Sequence, residues 1–393
     1  MRIVHVNYDA AKMGGASIAM LRIHSALRNA GVDSVIACRA LPNDPYSVLY
    51  KMPFCHRSGE FVFKAFQKLT QGVCHSTGLV CTGMVDFVNS LNPDVVQLNW
   101  LQLNTVGIKE LLKIKCPIVW FTHDLWPMSG LNPQPETDWF KMGPPKRGFW
   151  NKLAWRNKKE VVEKLGNRLT VVGPSEWAMN EARGSLIFRN TDCHCIHCPV
   201  SESLITTSKN IAAMNKPRNE KFTILFGATS GTHSRMKGWD RLIAAIEKLS
   251  VEEKNLAQII VFGETAEDRI EGGVPVTFLG KLNEDQLIPQ YHGADLFAFP
   301  SRRETWGQTK TEALCCGTPV IAFDETACAN GIRHKENGWV SPPDDIDDYA
   351  RGISWFISNW MTGNPLKLVE EYKPYSGESI ARQWIYLYNS LQG

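Results

Sequence analysis

Hydrophobic residues in this chain come in short unbroken runs, separated by stretches in which they recur every three or four positions. "RIVHVNY" (2–8) is apolar and β-branched, "GGASIAMLRIHSALRNAG" (14–31) holds its apolar residues at helical spacing and stops on Gly31, and "DSVIACRA" returns to the strand pattern. Further runs follow in "SLNPDVVQLNWLQ", entered through an Asn-Pro turn, and in "CPIVWFTHD", "NRLTVVGPSEWA" and "DCHCIHCPV". Strands that are apolar throughout, with helices between them, predict a parallel sheet covered on both faces. From about 200 to 220 the pattern breaks into the polar "SESLITTSKNIAAMNKPRNEK", which reads as a linker. It then restarts with "KFTILFGATS", "NLAQIIVFGE", "VPVTFLG", "DLFAFPS", "TPVIAFD" and "NGWVSPP", and "GESIARQWIYLYNSLQG" is a last amphipathic helix.

The expectation is an α/β protein of two tandem, doubly wound, Rossmann-like domains with a cleft between them. The first domain spans 1–200, with the closing helix 376–393 packing back on it; the second spans 219–375. A chain of 393 residues suits two domains, and 44% apolar with 21% charged residues is an ordinary soluble composition. No apolar run approaches the ~18 residues of a membrane span. "MRIVHVNYDA" reads as a strand rather than a secretory leader, so the eleven cysteines are expected as reduced thiols in a cytoplasm. A net charge of only +3 implies no global nucleic-acid-binding field. Local charge is less even: residues 141–159, "KMGPPKRGFWNKLAWRNKK", hold seven Lys/Arg and no acid, interleaved with Phe149, Trp150 and Trp155. That run is either a solvated loop or a face resting on anionic lipid.

The chemistry concentrates in "SRRETWGQTKTEALCCGTPVIAFD" (301–324). A helix from Gln308 to Cys316, begun just past a strand's carboxyl end, presents free N–H groups and the positive end of its dipole. Gly307 permits close backbone approach, and Gln308 and Thr309 lie in the first turn, a place for phosphate. Glu312, about one turn in, would repel phosphate but can accept from both cis hydroxyls of a ribose. In "TSGTHSRMKGWDRLIAAI", Gly227, Gly231 and Gly238 make a flexible loop that ends in Arg235 and Lys237, two cations suited to a leaving diphosphate. Gly14 and Gly15 lack the spacing of a dinucleotide fingerprint and are either a tight turn or a place where backbone nears the ligand. His123 and Asp124 end the strand of "FTHDLWPMSG", as a general-base dyad or as a buried histidine beside a carboxylate. In "DCHCIHC" (192–198), alternation sets Cys193, Cys195 and His197 along one strand face, too far in line to close a tetrahedron, so a buried small-residue strand is favoured over zinc.

Glu304 and Glu312 resemble the E-x7-E signature of the retaining, GT-B-fold glycosyltransferases of family 4. The string "ETWGQTKTEALCCGTPVIAF" looks especially like the branch that builds bacterial exopolysaccharide, colanic acid and O-antigen. "GGAS", "FTHDLWPMSG", "VVGPSEWA", "MKGWDRLIAAI" and "NGWVSPPD" fall in the family's order, so the likeness covers most of the chain. Two departures stand out. The family's arginine lies four residues before the lysine, whereas Arg235 is two before Lys237; and the cysteine cluster that often follows "HDxWP" is missing.

The resemblance implies that a hexose moves, with retention, from a nucleoside-diphosphate sugar to a lipid-linked glycan acceptor in surface polysaccharide synthesis, without a metal or other cofactor. It gives Lys237, Arg235, Gly307, Gln308, Thr309 and Glu312 to the donor nucleotide, with Gly14 and Gly15 approaching it. Glu304 and His123 go to the sugar, and Asp124 orients that sugar or steers the acceptor hydroxyl, with the acceptor entering near Gly14, Gly15 and Asp124. The partners implied are the nucleotide sugar, the lipid-linked oligosaccharide and a membrane surface touched through 141–159, with no nucleic acid; the location is the inner face of the cytoplasmic membrane. The other readings are a sugar-nucleotide epimerase of the same architecture and a non-catalytic nucleotide-sugar-binding subunit.

Overall fold

The computed structural model describes residues 1–11, 14–53, 78–132, 141, 144–145, 148–212, 219–227, 231–363 and 373–392. The chain divides into two units, Met1–Pro199 with Gly377–Gly393, and Val200–Ser376. In the first, the elements run β1 (Arg2–Asp9), α1 (Gly15–Asn29), β2 (Asp33–Ala40), β3 (Ser47–Leu49), α2 (Met84–Ser90), β4 (Val95–Leu98), β5 (Ile118–Phe121), α3 (Phe149–Leu165), β6 (Leu169–Gly173), α4 (Glu176–Gly184) and β7 (Asp192–Cys195). They form one sheet in the order β3-β2-β1-β4-β5-β6-β7, every pairing parallel. All residues of β4, β5 and β6 are buried, which is what unbroken apolar runs require of strands covered on both faces.

The second unit runs α5 (Glu202–Ala212), β8 (Phe222–Gly227), α6 (Trp239–Glu247), α7 (Val251–Leu256), β9 (Ala257–Phe262), β10 (Arg269–Glu271), β11 (Val274–Phe278), α8 (Glu284–Gly293), β12 (Leu296–Phe299), α9 (Gln308–Cys315), β13 (Val320–Phe323), β14 (Gly338–Ser341) and α10 (Ile346–Met361). Its sheet has the order β10-β11-β9-β8-β12-β13-β14, parallel except for the antiparallel edge pair β10–β11. The two orders are those of doubly wound sheets, with the winding reversing between β1 and β4 in one and between β8 and β12 in the other. Ligands of such sheets sit outside the carboxyl ends of the strands at these reversals.

Two expectations change. The stretch read as a linker begins with α5, whose Leu204 and Ile205 are buried in the same apolar cluster as Tyr291 of α8 and Leu314 of α9. Its polar look comes from the outward face of a helix that is apolar on one side only. The short edge strands β3 and β10 also went unread, since three residues carry too little alternation to register.

The last helix, α11 (Gly377–Ser390), belongs to the first unit and packs along α1. Its Trp384 and Tyr388 are fully buried, and the Trp384 ring meets Phe121 of β5 edge-on at 5.4 Å between centroids. Among the described residues, no helix is long and apolar enough to cross a membrane.

Candidate functional site

In the second unit the candidate residues gather after β8 and β12. Gly227 ends β8 for packing rather than flexibility, because a Cβ there would lie 2.5 Å from the Phe262 ring. After Gly231 the loop is tied down by Glu264, which accepts from Thr232 N (2.9 Å) and Thr232 Oγ1 (2.7 Å) and pairs with His233 Nε2 at 3.1 Å. A 3-10 turn, Arg235–Lys237, then leads to Gly238, which heads α6 at φ 74°. A Cβ on Gly238 would sit 2.1 Å from the Pro300 carbonyl oxygen, so only glycine lets this loop lie against the end of β12. Arg302 fastens the same contact: it clamps Asp240 with two bonds of 2.8 and 2.6 Å and donates to the Arg235 carbonyl at 2.7 Å.

That closeness brings Lys237 to Glu304. The ammonium donates to Oε1 at 2.6 Å. Burial works against the charge on Lys237, but the Glu304 carboxylate and its hydrogen bond outweigh it and hold the lysine above its ordinary range. Glu304 is fixed through its backbone as well, donating from N to Thr326 Oγ1 (3.0 Å) and accepting from Ala327 N (3.2 Å). Arg235 is exposed at the rim of the loop. The basic pair of the sequence is therefore one lysine engaged with a carboxylate and one arginine facing solvent.

Gly307 heads α9 at φ 86°, and a Cβ there would lie 2.8 Å from Phe299, so the turn that opens the helix is built for glycine. Gln308 and Thr309 follow, both half-buried, and the Gln308 Nε2 amide is buried without a hydrogen-bond partner. Glu312 is buried, and its Oε2 accepts from the Tyr291 hydroxyl at 2.9 Å. Lys310 had no role in the sequence reading. Its side chain is fully buried and its ammonium donates to the carbonyls of Ala327 (3.1 Å) and Asn330 (2.5 Å), the turn that also holds the Glu304 backbone. Desolvation pushes its amine down to about 8, against the weaker pull of Cys328 and Glu304. A lysine inside "GQTKTEALCC", on a helix otherwise buried, was the available signal. For Tyr291, seventeen positions before the motif begins its helix, there was none.

In the first unit Gly14 precedes α1 in extended backbone, at φ −174°, and accepts from Ile18 N. A Cβ on Gly14 or Gly15 meets nothing within 4 Å, so no packing among the described residues demands glycine at either place. His123 and Asp124 follow β5. His123 Nε2 lies 3.3 Å from Asn99 Oδ1, while Asp124 takes Gln102 Nε2 at 2.5 Å on one oxygen and Trp126 N at 2.9 Å on the other. With both its oxygens engaged elsewhere, Asp124 is not arranged as the orienting half of a His–Asp dyad. Both side chains keep an exposed edge, yet loss of solvation dominates around them: it pushes His123 down to about 3 and Asp124 up to about 6.

The basic run divides by helical face. Trp155 and Lys158 of α3 point inward; Lys158 is fully buried and donates to the carbonyls of Trp126, Ser129 (3.1 Å) and Gly130 (2.8 Å). Phe149 and Trp150 are 70% and 48% exposed, so only part of 141–159 is a surface. Positions 142–143 and 146–147 of that run lie outside the described residues. In "DCHCIHC", only 192–195 is strand, His197 turns to the Pro174 carbonyl at 2.8 Å, and burial pushes the Cys195 and Cys198 thiols up to about 12. No group of three metal-ligating side chains occurs among the described residues.

The model "Glycosyltransferase Family 4" matches residues 13–204, and "Glycosyl transferases group 1" matches residues 208–376. An uncharacterized glycosyltransferase of Methanocaldococcus jannaschii is 32% identical over 171 residues, 40% of this chain and 43% of that relative. The chain thus spans less than half the length of the curated relatives it matches. Among solved structures, sucrose-phosphate synthase from Thermosynechococcus elongatus superposes with a TM-score of 0.68 at 19% identity, over 99% of this chain and 98% of that one. HepE from Anabaena, in complex with UDP-glucose, gives 0.63 at 17% identity over the whole of both chains. With one glycosyltransferase model on its first half, another on its second, and the fold in common, the chain belongs to the family 4-like glycosyltransferases of the two-domain GT-B fold.

Proposed function

We propose that this chain moves a hexose, with retention, from a nucleoside-diphosphate sugar to a lipid-linked glycan acceptor in the building of a bacterial surface polysaccharide. The observation that carries the reading is the convergence of Lys237, Glu304, the Gly307 helix start and Glu312 at the carboxyl ends of β8 and β12. Glu304 occupies one N–H of the Lys237 ammonium and leaves two for oxygens of the leaving diphosphate, with Arg235 as the second cation. The first-turn amides of Gly307, Gln308 and Thr309 complete the anion site. Glu312, which accepts from the Tyr291 hydroxyl through Oε2, takes the ribose hydroxyls. Glu304 and His123 meet the sugar, Gly14 and Gly15 approach the donor, and Asp124 steers the acceptor. That the Anabaena neighbour is described with UDP-glucose supports a nucleotide-sugar donor of this type.

The acceptor's lipid is expected at Phe149 and Trp150, exposed at the start of α3, with Lys152, Arg156 and Lys159 in the turns that follow. On this reading the enzyme works at the inner face of the cytoplasmic membrane. A screen of UDP-, GDP-, TDP- and ADP-sugars for thermal stabilisation identifies the donor, and transfer of labelled sugar to membrane-extracted lipid-linked acceptor tests the reaction. If no nucleotide sugar raises the melting temperature, or if Glu312→Ala and Lys237→Ala bind the donor as wild type does, the site assignment is wrong.

A further inference from the structure

His123 is reached from the far end of the chain by a run of buried polar side chains. The backbone carbonyl of Gln97 can only accept, so the atom of Asn99 that faces it at 3.2 Å is the donor Nδ2. This fixes which way the Asn99 amide points. Its oxygen, Oδ1, then faces Gln97 Nε2 at 3.2 Å and His123 Nε2 at 3.3 Å, and both must donate to it. The other end of the Gln97 amide, Oε1, accepts from the Tyr388 hydroxyl of α11. Burial keeps that phenol far above its ordinary range, so it holds its proton. Tyr388 and Gln97 are 0% exposed and Asn99 is 3% exposed, so no bulk water competes along the run. A second, apolar contact runs beside it: Trp384 of α11 lies against Phe121, whose ring meets His123 edge-on at 4.6 Å.

We propose that Asn99 is a positioning residue that holds His123 in the tautomer protonated on Nε2, with Nδ1 as the acceptor, and that Tyr388 and Gln97 keep the Asn99 amide pointing the way this requires. A neutral ring is the form its desolvated surroundings favour. The functional weight of the assignment rests on the reading of His123 as a ligand of the donor sugar: a ring with Nδ1 unprotonated accepts from a sugar hydroxyl at that nitrogen and cannot donate to one.

The tautomer is read directly by long-range proton–nitrogen correlation of the histidine rings in the full-length, ¹⁵N-labelled protein, with His123 identified as the signal missing from His123→Gln. Wild type is expected to show Nε2–H. Asn99→Leu, which removes the acceptor, is expected to populate the Nδ1–H form. Tyr388→Phe should shift the ring the same way as Asn99→Leu but less. Turnover in Asn99→Leu should fall about 10-fold, roughly the net worth of one hydrogen bond. An Nδ1–H ring in wild type overturns the proposal even if no variant folds, as does an unchanged tautomer in a folded Asn99→Leu. The tautomer is measured without substrate, so full turnover in His123→Gln would instead overturn the reading of His123 at the sugar and leave the tautomer assignment standing.

Discussion

Replacing Lys310 with methionine should change how stability depends on pH, and in a direction opposite to that of most lysines. The amine of Lys310 is buried, and desolvation lowers it from its ordinary 10.5 to about 8. Below pH 8 the folded and unfolded chains both carry the proton. Between 8 and 10.5 the unfolded chain keeps it while the folded chain releases it, so the stability of wild type rises with pH across that window. The full gain is the shift of about 2.5 units at roughly 1.36 kcal/mol each, about 3 kcal/mol, and about 2 kcal/mol of it accrues between pH 8 and 9.5. Lys310→Met shares every other titrating group, so the difference between the two proteins isolates this one. Urea unfolding of both, followed by tryptophan fluorescence at half-unit steps from pH 7 to 10, gives that difference. If the two units melt separately, the transition whose midpoint moves with the substitution belongs to the second. The stability of wild type relative to the variant should climb by about 2 kcal/mol by pH 9.5. A constant gap, or one that falls as pH rises, would show that Lys310 is not desolvated in the way its two carbonyl partners and its burial imply.

Three further outcomes follow from the same geometry. Lys237→Met leaves the half-buried Glu304 without its cation and removes the charge assigned to the diphosphate; kcat/KM for transfer should fall about 100-fold or more, and a smaller loss than in Arg235→Met would reverse the assignment of the principal cation. Tyr291→Phe should weaken binding of the donor nucleotide by about 3–10-fold, measured calorimetrically, because Glu312 loses the hydroxyl that orients it at 2.9 Å. Gly238→Ala must place a methyl 2.1 Å from the Pro300 carbonyl at a positive φ; the second unit should lose about 2 kcal/mol or more in urea unfolding and its nucleotide affinity with it, and a protein of unchanged stability would refute the packing described here.

Much of the architecture was legible because its strands are wholly buried and its helices amphipathic, so each element announced its period locally. The string from Glu304 to Gly317 was legible for the same reason, as a strand end, a glycine turn and a helix start in one window. What escaped the sequence were relations between distant windows. Lys310 looked like any helix lysine until the 327–330 turn came over it. Asn99 sat in an apolar strand run with nothing to tie it to His123, 24 positions on. The stretch 141–159 reads in sequence as one contiguous patch, whereas a helix sends Trp155 and Lys158 inward and Phe149 and Trp150 outward. His123 and Asp124 were paired because they are neighbours in sequence, whereas at a strand's end successive side chains diverge to different partners.

The position of α11 has a consequence for how the molecule is made. Tyr388 and Gln97 touch although 291 positions separate them, and the whole second unit is spelled out between the two. At roughly 5–20 residues per second, a ribosome needs about 15–60 s to get from one to the other. Throughout that time the first sheet waits with the groove along α1 and Phe121 bare, while the second unit, contiguous in the chain, can close on itself as it emerges. The half that is synthesised first is thus the half that is finished last, and its unclad apolar surface is where a nascent-chain chaperone would be needed.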